Sequence, residues 1–382
     1  MKKILVTGGA GYIGSHTVKE LQKNNFDVVV LDSLEAGHKE AVGDTKLEVV
    51  NLADKSAVSV VFKKYKPEAV IDFAAYLAVG ESMLNPKKYF ENNVLNFVNL
   101  LDVMKETECK YLIKSSTAAV YGNPTKDSDI PWREEFVSEY KPEKSALLAG
   151  KWNSENIIGE DFFQKFIGYF KQSFNERLDF AINHKDIFRL RIPLSIYGLT
   201  KALDEFLLSI YDFRYGIKSV VLRYFNVCGA DPAGEIGEAK PEPTTLMVLA
   251  IFQALGKIPE IKIFGRDYKT ADGTGIRDYI HPTDLAIAHA NVLEYLAQGK
   301  RSEIFNLGTG NGSSVLEVIS AVEKASGKKI ITKDFPRRSG DAIISIANPQ
   351  KAEKILNWRA KYNLNDMAET AWKWHSQNPD VF

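Results

Sequence analysis

The sequence is poor in cysteine and has no long hydrophobic run, and each absence excludes a class of protein. Only two cysteines occur, Cys109 and Cys228, which lie far apart and without the spacing of metal ligands. A disulfide framework or a zinc site is therefore not expected, and a reducing compartment fits better. No apolar run approaches the roughly 20 residues that a membrane helix needs, so we expect no membrane segment and no membrane partner.

An excess of either charge is absent as well. Lys plus Arg and Asp plus Glu number 49 each, so the formal net charge is zero. This balance provides no bulk attraction to nucleic acid or to an anionic membrane, and any anion-binding site must be local. The first residues run directly into a glycine-rich turn and leave no room for a signal peptide, which predicts a cytoplasmic protein.

Buried-strand patterns alternate with helical stretches along the first part of the chain. This alternation predicts an α/β fold, with a Rossmann-like, doubly wound parallel sheet. Each strand is a short run of apolar residues, and several of the runs are rich in valine and isoleucine. The predicted strands lie at residues 4–6, 28–31, 47–50, 69–73, 111–113 and 219–223.

The composition of the sequence and the length of its predicted elements change beyond about Asn226. A chain of 382 residues is too long for one compact core, so two domains are expected. Proline and glycine become dense over residues 231–243, and the elements that follow are shorter. We therefore predict a first domain over residues 1–225 and a smaller, mixed α/β domain over residues 226–382, with some segments returning to the first. The ligand is expected in the cleft between them.

An aromatic stripe marks residues 137–192. Its apolar residues recur at the spacing of an amphipathic helix that packs on the body of the protein or on a partner subunit. A role in shaping the substrate entrance is the alternative. The stripe includes Ile158, Phe162, Phe166, Phe170 and Phe174.

Three glycines follow the first predicted strand and open a helix. Gly8 permits a tight turn, Gly11 lets the backbone approach a pyrophosphate, and Gly14 lets the helix pack closely on the strand. The phosphates would lie at the helix N-terminus, where free N–H groups favour an anion. Asp32, at the end of the second strand, can accept hydrogen bonds from a ribose diol and repel a 2′-phosphate, which favours NAD over NADP. The alternatives are a glycine turn without a ligand and an aspartate that caps a helix or turn.

A tyrosine and a lysine lie four residues apart at Tyr197 and Lys201, and hence on one face of a helix. A nearby ammonium stabilises a phenolate and lowers the pKa of tyrosine, so that it can act as a general base on an alcohol. Thr117 follows a predicted strand, at the edge of the sheet that faces the ligand crevice, and its hydroxyl could hydrogen-bond the same substrate oxygen. A pair of surface residues and a strand-end cap are the alternatives.

Two arginines lie beside turn glycines in the second half of the chain. Arg277 and Arg338 could clamp a diphosphate through charge-assisted hydrogen bonds. For each arginine alone, a solvated surface charge is the alternative.

Together these motifs resemble the extended short-chain dehydrogenase/reductase family and, within it, the UDP-glucose 4-epimerases. The resemblance covers nearly the whole chain. It rests on residues 7–16, 73–75, 78–82, 119–122, 197–201, 223–226, 272–281 and 306–310.

The resemblance implies an isomerase of galactose metabolism that interconverts UDP-glucose and UDP-galactose with tightly bound NAD. Tyr197, as a phenolate held by Lys201, takes the proton of the sugar 4-hydroxyl while hydride leaves C4 for the nicotinamide. The 4-keto sugar then turns in the pocket, and hydride returns to its opposite face. Thr117 matches the hydroxyl residue that binds the 4-oxygen. The catalytic residues implied are thus Tyr197, Lys201 and Thr117.

The resemblance also implies two sets of binding residues. It makes the first domain the NAD-binding domain and the second the UDP-sugar-binding domain. The cofactor positions are Gly8, Gly11, Tyr12, Ile13, Gly14, Asp32, Ser33, Asn51, Leu52, Phe73, Ala74, Ala75, Asn92, Tyr197, Lys201 and Phe225. The UDP-hexose positions are Thr117, Asn226, Thr245, Leu246, Phe264, Arg277, Arg338, Asp341 and Ser345.

Several positions depart from the family pattern. Leu77 stands where some relatives carry lysine, and Asn51 stands where the family usually carries aspartate beside the adenine. Residues 137–192 form an insertion of roughly fifty residues before the catalytic helix, judged against the family pattern. In relatives that helix also helps form the dimer interface, so the resemblance implies a homodimer in which the insertion lies next to the interface helix in sequence. Ser345 matches a gatekeeper position, and its small side chain leads to the hypothesis that UDP-GlcNAc is accepted as well.

Three other functions occur on the same fold. A 4,6-dehydratase needs an acid and a base directly after the threonine, but this chain has Ala118 and Ala119 there. An epimerase of UDP-glucuronate type differs mainly in the side chains of its sugar pocket. A non-catalytic NAD-sensing protein usually loses the tyrosine or the lysine, and both are retained here.

Overall fold

A computed structural model describes residues 1–122, 124, 127–134, 193, 195–240, 243–338 and 342–379. Most of its strands belong to one large sheet, and the others form two small sheets. The strands are β1 (Lys3–Thr7), β2 (Asp27–Asp32), β3 (Lys46–Val49), β4 (Ala69–Asp72), β5 (Tyr111–Thr117), β6 (Lys218–Tyr224), β7 (Asn226–Val227), β8 (Ile261–Phe264), β9 (Ile276–Ile280), β10 (Glu303–Leu307), β11 (Gly312–Ser314), β12 (Thr332–Phe335) and β13 (Ile344–Ser345).

The large sheet has seven strands in the order β10-β6-β5-β4-β1-β2-β3, and all its pairings are parallel. Every strand predicted from the sequence lies in it, so the prediction of a Rossmann-like, doubly wound sheet is confirmed. The chain leaves β1 for β2 on one side and later returns to place β4 on the other. The carboxyl ends of β1 and β4 therefore border the crevice in which such sheets bind ligands.

Helices cover both faces of this sheet and flank the smaller ones. The helices are α1 (Tyr12–Lys23), α2 (Lys55–Tyr65), α3 (Val79–Leu84), α4 (Pro86–Tyr89), α5 (Asn96–Glu106), α6 (Ile196–Tyr215), α7 (Leu246–Ala254), α8 (Pro282–Ala297), α9 (Val315–Ser326), α10 (Gln350–Leu356) and α11 (Leu364–Gln377). A π-helical turn over Phe90–Leu95 joins α4 to α5.

Two apolar cores hold the helices to the large sheet. On one face, α2, α5 and α6 bury residues such as Phe62, Leu101 and Leu207 against the strands. On the other face, α1 and α8 pack together and bury Leu21 and Leu293. Near-continuous apolar strands are required here, because a parallel sheet is buried on both faces.

A third core lies among α7, α9, α11 and strand β8, where it includes Ile251, Ile261, Val318 and Met367. Strands β7, β9, β11 and β13 form a small mixed sheet beside it, and β8 pairs with β12. Helix α8 and strand β10 come from the second half of the chain but pack on, or join, the large sheet. We keep the division into domains at residues 1–225 and 226–382 as a proposal.

Other sequence predictions concern residues or features outside these layers. The amphipathic segment over residues 137–192 lies outside the described residues. Within the described ranges, no helix is both long and apolar enough to cross a membrane. Among the same residues, no group of three histidine, cysteine, aspartate or glutamate side chains could hold a metal ion. Cys109 and Cys228 are both buried free thiols.

The close packing of Gly14 leads to a stability prediction. A Cβ atom at Gly14 would overlap the Gly8 carbonyl oxygen and lie 2.8 Å from the Gly9 Cα, whereas one at Gly11 would meet only the Gly8 oxygen, at 3.3 Å. We expect Gly14→Ala to lower the free energy of unfolding by about 1–3 kcal/mol, because backbone atoms must move. Urea unfolding of Gly14→Ala beside Gly11→Ala measures this. Equal losses in the two variants would contradict it.

Candidate active site

The turn between β1 and α1 forms a cradle for an anion. Gly8 has φ of +67°, which favours glycine, and a Cβ there would lie 2.7 Å from the Ala74 backbone nitrogen. Helix α1 begins after Gly11 with no side-chain cap and no acidic residue in its first turn. Its first N–H groups and the helix dipole are therefore available to a phosphate.

Asp32 lies at the end of β2, beside this cradle. One carboxylate oxygen accepts a hydrogen bond from the Ala10 N–H at 2.9 Å, and the other accepts one from the Leu34 N–H at 2.9 Å. Asp32 thus acts as a turn residue that holds the glycine loop, as the alternative interpretation proposed. Each carboxylate oxygen can accept further hydrogen bonds, so the same side chain also fits a ribose diol.

A chain of polar side chains continues the crevice beyond Asp32. Asn51 donates to Glu35 at 2.9 Å, and the other oxygen of Glu35 accepts from the Tyr76 hydroxyl at 2.8 Å. The Asn51 side-chain oxygen also accepts from the Ala53 N–H at 2.8 Å. Leu52, beside Asn51, is buried. A network of this kind can order the two loops that follow β2 and β3, where the adenine end of a dinucleotide is expected.

Residues on the opposite side of the cradle follow β4. The Ala74 N–H donates to Asp72 at 3.1 Å, and the Phe73 ring packs against the His289 ring with centroids 4.9 Å apart. Asn92 lies in the π-helical turn and accepts from Asn96 at 3.4 Å. A π-helical turn is frequently found at a functional site.

The remaining predicted cofactor positions lie at the start of α1 or shortly after β2, β4 and β6. Tyr12 donates through its hydroxyl to the Gly229 carbonyl at 2.6 Å and so ties the start of α1 to the second half of the chain. Ile13 packs against the core on the α1 face, Ser33 accepts from the Glu35 N–H at 3.4 Å, and Phe225 is buried beside Ala202 in a small apolar cluster. Ala75 is half-buried.

Helix α6 carries Tyr197 and Lys201 against the carboxyl end of β5. Ser195 caps the helix by accepting from the Gly198 N–H, and the Tyr197 N–H donates to Ser82 at 3.1 Å. The Lys201 ammonium donates to the Ser115 carbonyl at 3.0 Å. Tyr197 and Lys201 are both buried, so the alternative of surface residues is wrong.

Thr117 has two roles in the structure. Its side-chain oxygen accepts from the Ala119 N–H at 3.1 Å and caps the turn after β5, as the alternative interpretation proposed. Its side chain also interacts with that of Tyr197 and lowers the pKa of Tyr197. Thr117, Tyr197 and Lys201 therefore meet at one point of the crevice.

The electrostatics of this group differ from the sequence expectation. Burial raises the pKa of Tyr197 to about 12, against the Thr117 side chain and the Lys114 ammonium, which both lower it. Burial and the Lys114 ammonium lower the pKa of Lys201 to about 8. The tyrosine hydroxyl is thus protonated near neutral pH in this structure, and Lys201 alone does not make it a phenolate.

The sequence analysis missed a buried ionic cluster beneath Tyr197 and Lys201. It consists of Asp72 on β4, Lys114 on β5 and Asp204 on α6, and all three side chains are buried. A further omission is the buried Asn93, which donates to Thr200 at 3.1 Å and accepts from the Tyr76 N–H at 2.8 Å. One signal for the cluster was available in the sequence. Lys114 directly follows the apolar run of β5, and a lysine that is buried in a strand requires a buried partner.

The predicted substrate residues lie on the small sheets and their loops. The guanidinium of Arg338 stacks 3.7 Å from the centroid of the Phe264 ring. Arg277 on β9 pairs in register with Ser345 on β13, and its guanidinium donates to the Ile276 carbonyl at 2.9 Å. Asp341 lies outside the described residues.

Three other predicted substrate positions lie where the chain leaves the large sheet. Asn226, the first residue of β7, is exposed. Thr245 donates to Glu238 at 3.1 Å and precedes α7, which begins at Leu246.

Two family models match the chain. One, described as the NAD dependent epimerase/dehydratase family, matches residues 4–148. The other, described as GDP-mannose 4,6 dehydratase, matches residues 183–371.

Individual relatives match over almost the full length. The UDP-glucose 4-epimerase of Streptococcus mutans is 40% identical over 380 residues, which cover 98% of this chain and 97% of that protein. The UDP-glucose 4-epimerase of Bifidobacterium longum, solved in complex with NAD+ and UDP, is 32% identical, with a TM-score of 0.80 and 100% of both chains covered. The UDP-Glc/GlcNAc 4-epimerase of Campylobacter jejuni is 34% identical, with a TM-score of 0.73, and the match covers 99% of this chain and 100% of that one.

The position of Asp32 leads to a prediction about dinucleotide selectivity. We expect Asp32→Asn to weaken NAD binding by roughly tenfold or more, because a charged acceptor of hydrogen bonds is lost. The preference for NAD over NADP should fall as well, because the repulsion of a 2′-phosphate is removed. Equilibrium binding of both dinucleotides measures the two effects.

Glu35→Gln is the matched control for this variant. It neutralises a carboxylate in the same turn, which contacts Asn51 and Tyr76 rather than the glycine loop. An equal loss of NADP discrimination in this control would show that Asp32 has no special role.

Proposed function

Since this chain belongs to the UDP-glucose 4-epimerase family of NAD-dependent enzymes, we propose that it interconverts UDP-glucose and UDP-galactose at C4. The observation that carries this function is the meeting of Thr117, Tyr197 and Lys201 at the carboxyl edge of the sheet. The Thr117 side chain interacts with Tyr197 and lowers its pKa, and Lys201 lies one helical turn from Tyr197. Such a constellation is suited to moving a proton to and from an alcohol.

NAD is the cofactor of the family, and the residues of the crevice fit it. The uncapped start of α1 would hold the pyrophosphate, Asp32 would hold a ribose, and Phe73, Ala74 and Ala75 would line the opposite wall. When bound, NAD supplies the hydride acceptor and donor that inversion at a carbinol carbon requires. We propose that the rest of the predicted cofactor set, from Tyr12 to Phe225, lines the same crevice.

The side chains of the chain itself handle the proton. The ionised (phenolate) form of Tyr197 takes it from the 4-hydroxyl of the sugar and becomes the phenol, which later returns it, and Thr117 holds the same oxygen by a hydrogen bond. Burial opposes ionisation of Tyr197, whereas the Lys114 ammonium favours it. Lys201, one helical turn from Tyr197, is anchored on the Ser115 carbonyl at 3.0 Å.

The UDP group is proposed to lie along the small sheets. Arg338, stacked on Phe264, and Arg277, beside Ser345, supply cations on elements that follow the large sheet in the chain. Asn226, Thr245, Leu246 and Asp341 complete the proposed set. Guanidinium groups suit a diphosphate because their planar donors match its oxygens.

A 4,6-dehydratase is not favoured, although one family model of that description matches residues 183–371. Loss of the 6-hydroxyl as water requires a base that removes the C5 proton and an acid that protonates the leaving hydroxyl. The residues after Thr117 are Ala118 and Ala119, which begin a short helical turn and cannot carry a proton.

We also propose a homodimer and a cytoplasmic location. Helix α6 (Ile196–Tyr215) is the helix that the family resemblance places at a dimer interface.

The test of the function is a coupled assay of UDP-galactose conversion to UDP-glucose. We expect activity in the parent protein, with bound NAD that is reduced on addition of the UDP-sugar, and a loss of about 100-fold or more in kcat for Tyr197→Phe. Tyr215→Phe is the matched control, since it removes a phenol hydroxyl from the other end of the same helix. A parent protein that binds NAD but leaves UDP-galactose unchanged would reject this function.

The small side chain of Ser345 leads to a prediction about substrate range. We expect the parent to convert UDP-GlcNAc as well, and Ser345→Tyr to lose this activity while it keeps that on UDP-galactose, because a bulky ring fills the space for the N-acetyl group. The ratio of kcat/KM for the two substrates measures the effect. A folding defect would lower both activities together, and a parent without turnover of UDP-GlcNAc would contradict the prediction.

A further inference from the structure

A lysine ammonium is buried between two carboxylates directly beneath the catalytic residues. The Lys114 Nζ lies 2.5 Å from an oxygen of Asp72 and 3.1 Å from an oxygen of Asp204. It also lies 3.8 Å from the centroid of the Phe97 ring. The side chains of Lys114, Asp72 and Asp204 are at most 1% exposed.

Asp72 forms the end of this cluster that contacts the cofactor side of the crevice. Asp72 accepts a hydrogen bond from the Thr7 hydroxyl at 2.5 Å and another from the Ala74 N–H at 3.1 Å. Thr7 precedes the first glycine of the fingerprint, and Ala74 is a proposed cofactor contact. The Lys114–Asp72 pair therefore links the ends of β1, β4 and β5 at the edge where the crevice opens.

The other end of the cluster holds the catalytic helix. Asp204 lies on α6 one turn after Lys201, and neither of its carboxylate oxygens has a hydrogen-bond partner among the described residues, so the ion pair with Lys114 is its closest polar contact there. Lys114 immediately precedes Ser115, whose carbonyl accepts from Lys201. The Lys114 ammonium is thus a fully buried ionic link between the sheet and the helix that carries Tyr197 and Lys201, in addition to the Arg223–Glu205 pair between β6 and α6.

Packing alone does not explain three charges at this place. Burying an ion pair costs desolvation, and an apolar replacement of similar volume is often as stable or more so. The cluster is, however, close enough to act on both catalytic groups. The Lys114 charge lowers the pKa of Tyr197 and of Lys201, whereas the Asp204 charge raises both.

We propose that Lys114, held between Asp72 and Asp204, is a positioning residue of the active site that orients α6 and sets the electrostatic field at Tyr197 and Lys201. This role rests on the proposed function, because it acts through the catalytic pair. Lys114 itself does not touch substrate. The other titratable groups that face the cluster or the pair include Tyr89 on α4, Glu205 on α6 and Tyr224 on β6.

The test uses two variants with opposite expected effects on the holoenzyme. In Lys114→Met a cation is lost and the Asp204 charge is unopposed, so the pKa of Tyr197 should rise. In Asp204→Asn the anion is lost and Lys114 remains, so the pKa should fall. As pH increases, kcat should rise when Tyr197 ionises. We expect the pH at the midpoint of this rise to shift by roughly half a pH unit or more, to higher pH in Lys114→Met and to lower pH in Asp204→Asn.

A double variant and a spectroscopic readout separate this role from a structural one. The double variant Lys114→Met with Asp204→Leu removes the Lys114 and Asp204 charges together. The midpoint of the rise in kcat with pH should then return towards that of the parent. The ultraviolet absorbance of phenolate, titrated in each variant against the same variant with Tyr197→Phe, reports the ionisation of Tyr197 without turnover. The midpoint of this phenolate titration should move to higher pH in Lys114→Met and to lower pH in Asp204→Asn.

The outcomes distinguish the two proposals. A parent with no epimerase activity would reject the proposed function, and the role of Lys114 with it. An active parent whose variants lose thermal stability but keep the parent midpoint and pH profile would overturn the role of Lys114 and leave the function standing. Should Lys114→Met fail to fold, the near-isosteric Asp204→Asn decides by its shift alone.

Discussion

The carboxyl ends of β1, β4 and β5 meet at one edge of the sheet, and the rest of the site depends on how closely the backbone packs there. Gly8 lies so near Ala74 that a Cβ would come within 2.7 Å of its nitrogen. This approach holds the uncapped N-terminus of α1 and the loop after β4 on either side of one crevice. A bulkier turn would separate the two walls, and the residues of neither wall could reach a common ligand.

Burial in this crevice has opposite consequences for the two catalytic groups. It disfavours the charged form of each, so that the pKa of Tyr197 is raised and that of Lys201 is lowered. Proton transfer from a sugar hydroxyl to Tyr197 therefore depends on the other charges nearby. The Lys114 ammonium favours ionisation of Tyr197, and its two buried carboxylate partners keep that ammonium charged, since the pKa of Lys114 is raised although burial alone would lower it.

The elements of the large sheet could be predicted from the sequence because their signals are local. Short apolar runs separated by helical stretches placed the strands, and glycines after the first run placed the turn. The pairing of Tyr197 with Lys201 also follows from helical spacing. The cluster of Asp72, Lys114 and Asp204 could not be found in this way, since its members come from two strands and a helix that are far apart in the sequence.

By itself, then, the sequence determined the class of fold and the NAD cofactor, and it supplied the residues that we propose to move the proton, because each depends on residue type at short spacing. Tertiary structure alone decided the contact of Thr117 with Tyr197, the anchoring of Lys201 on Ser115 and the protonation state of both catalytic groups. The physical reason is that a pKa is set by burial and by charges within a few ångströms. Those neighbours come together only when the parallel strands align their carboxyl ends and α6 packs across them.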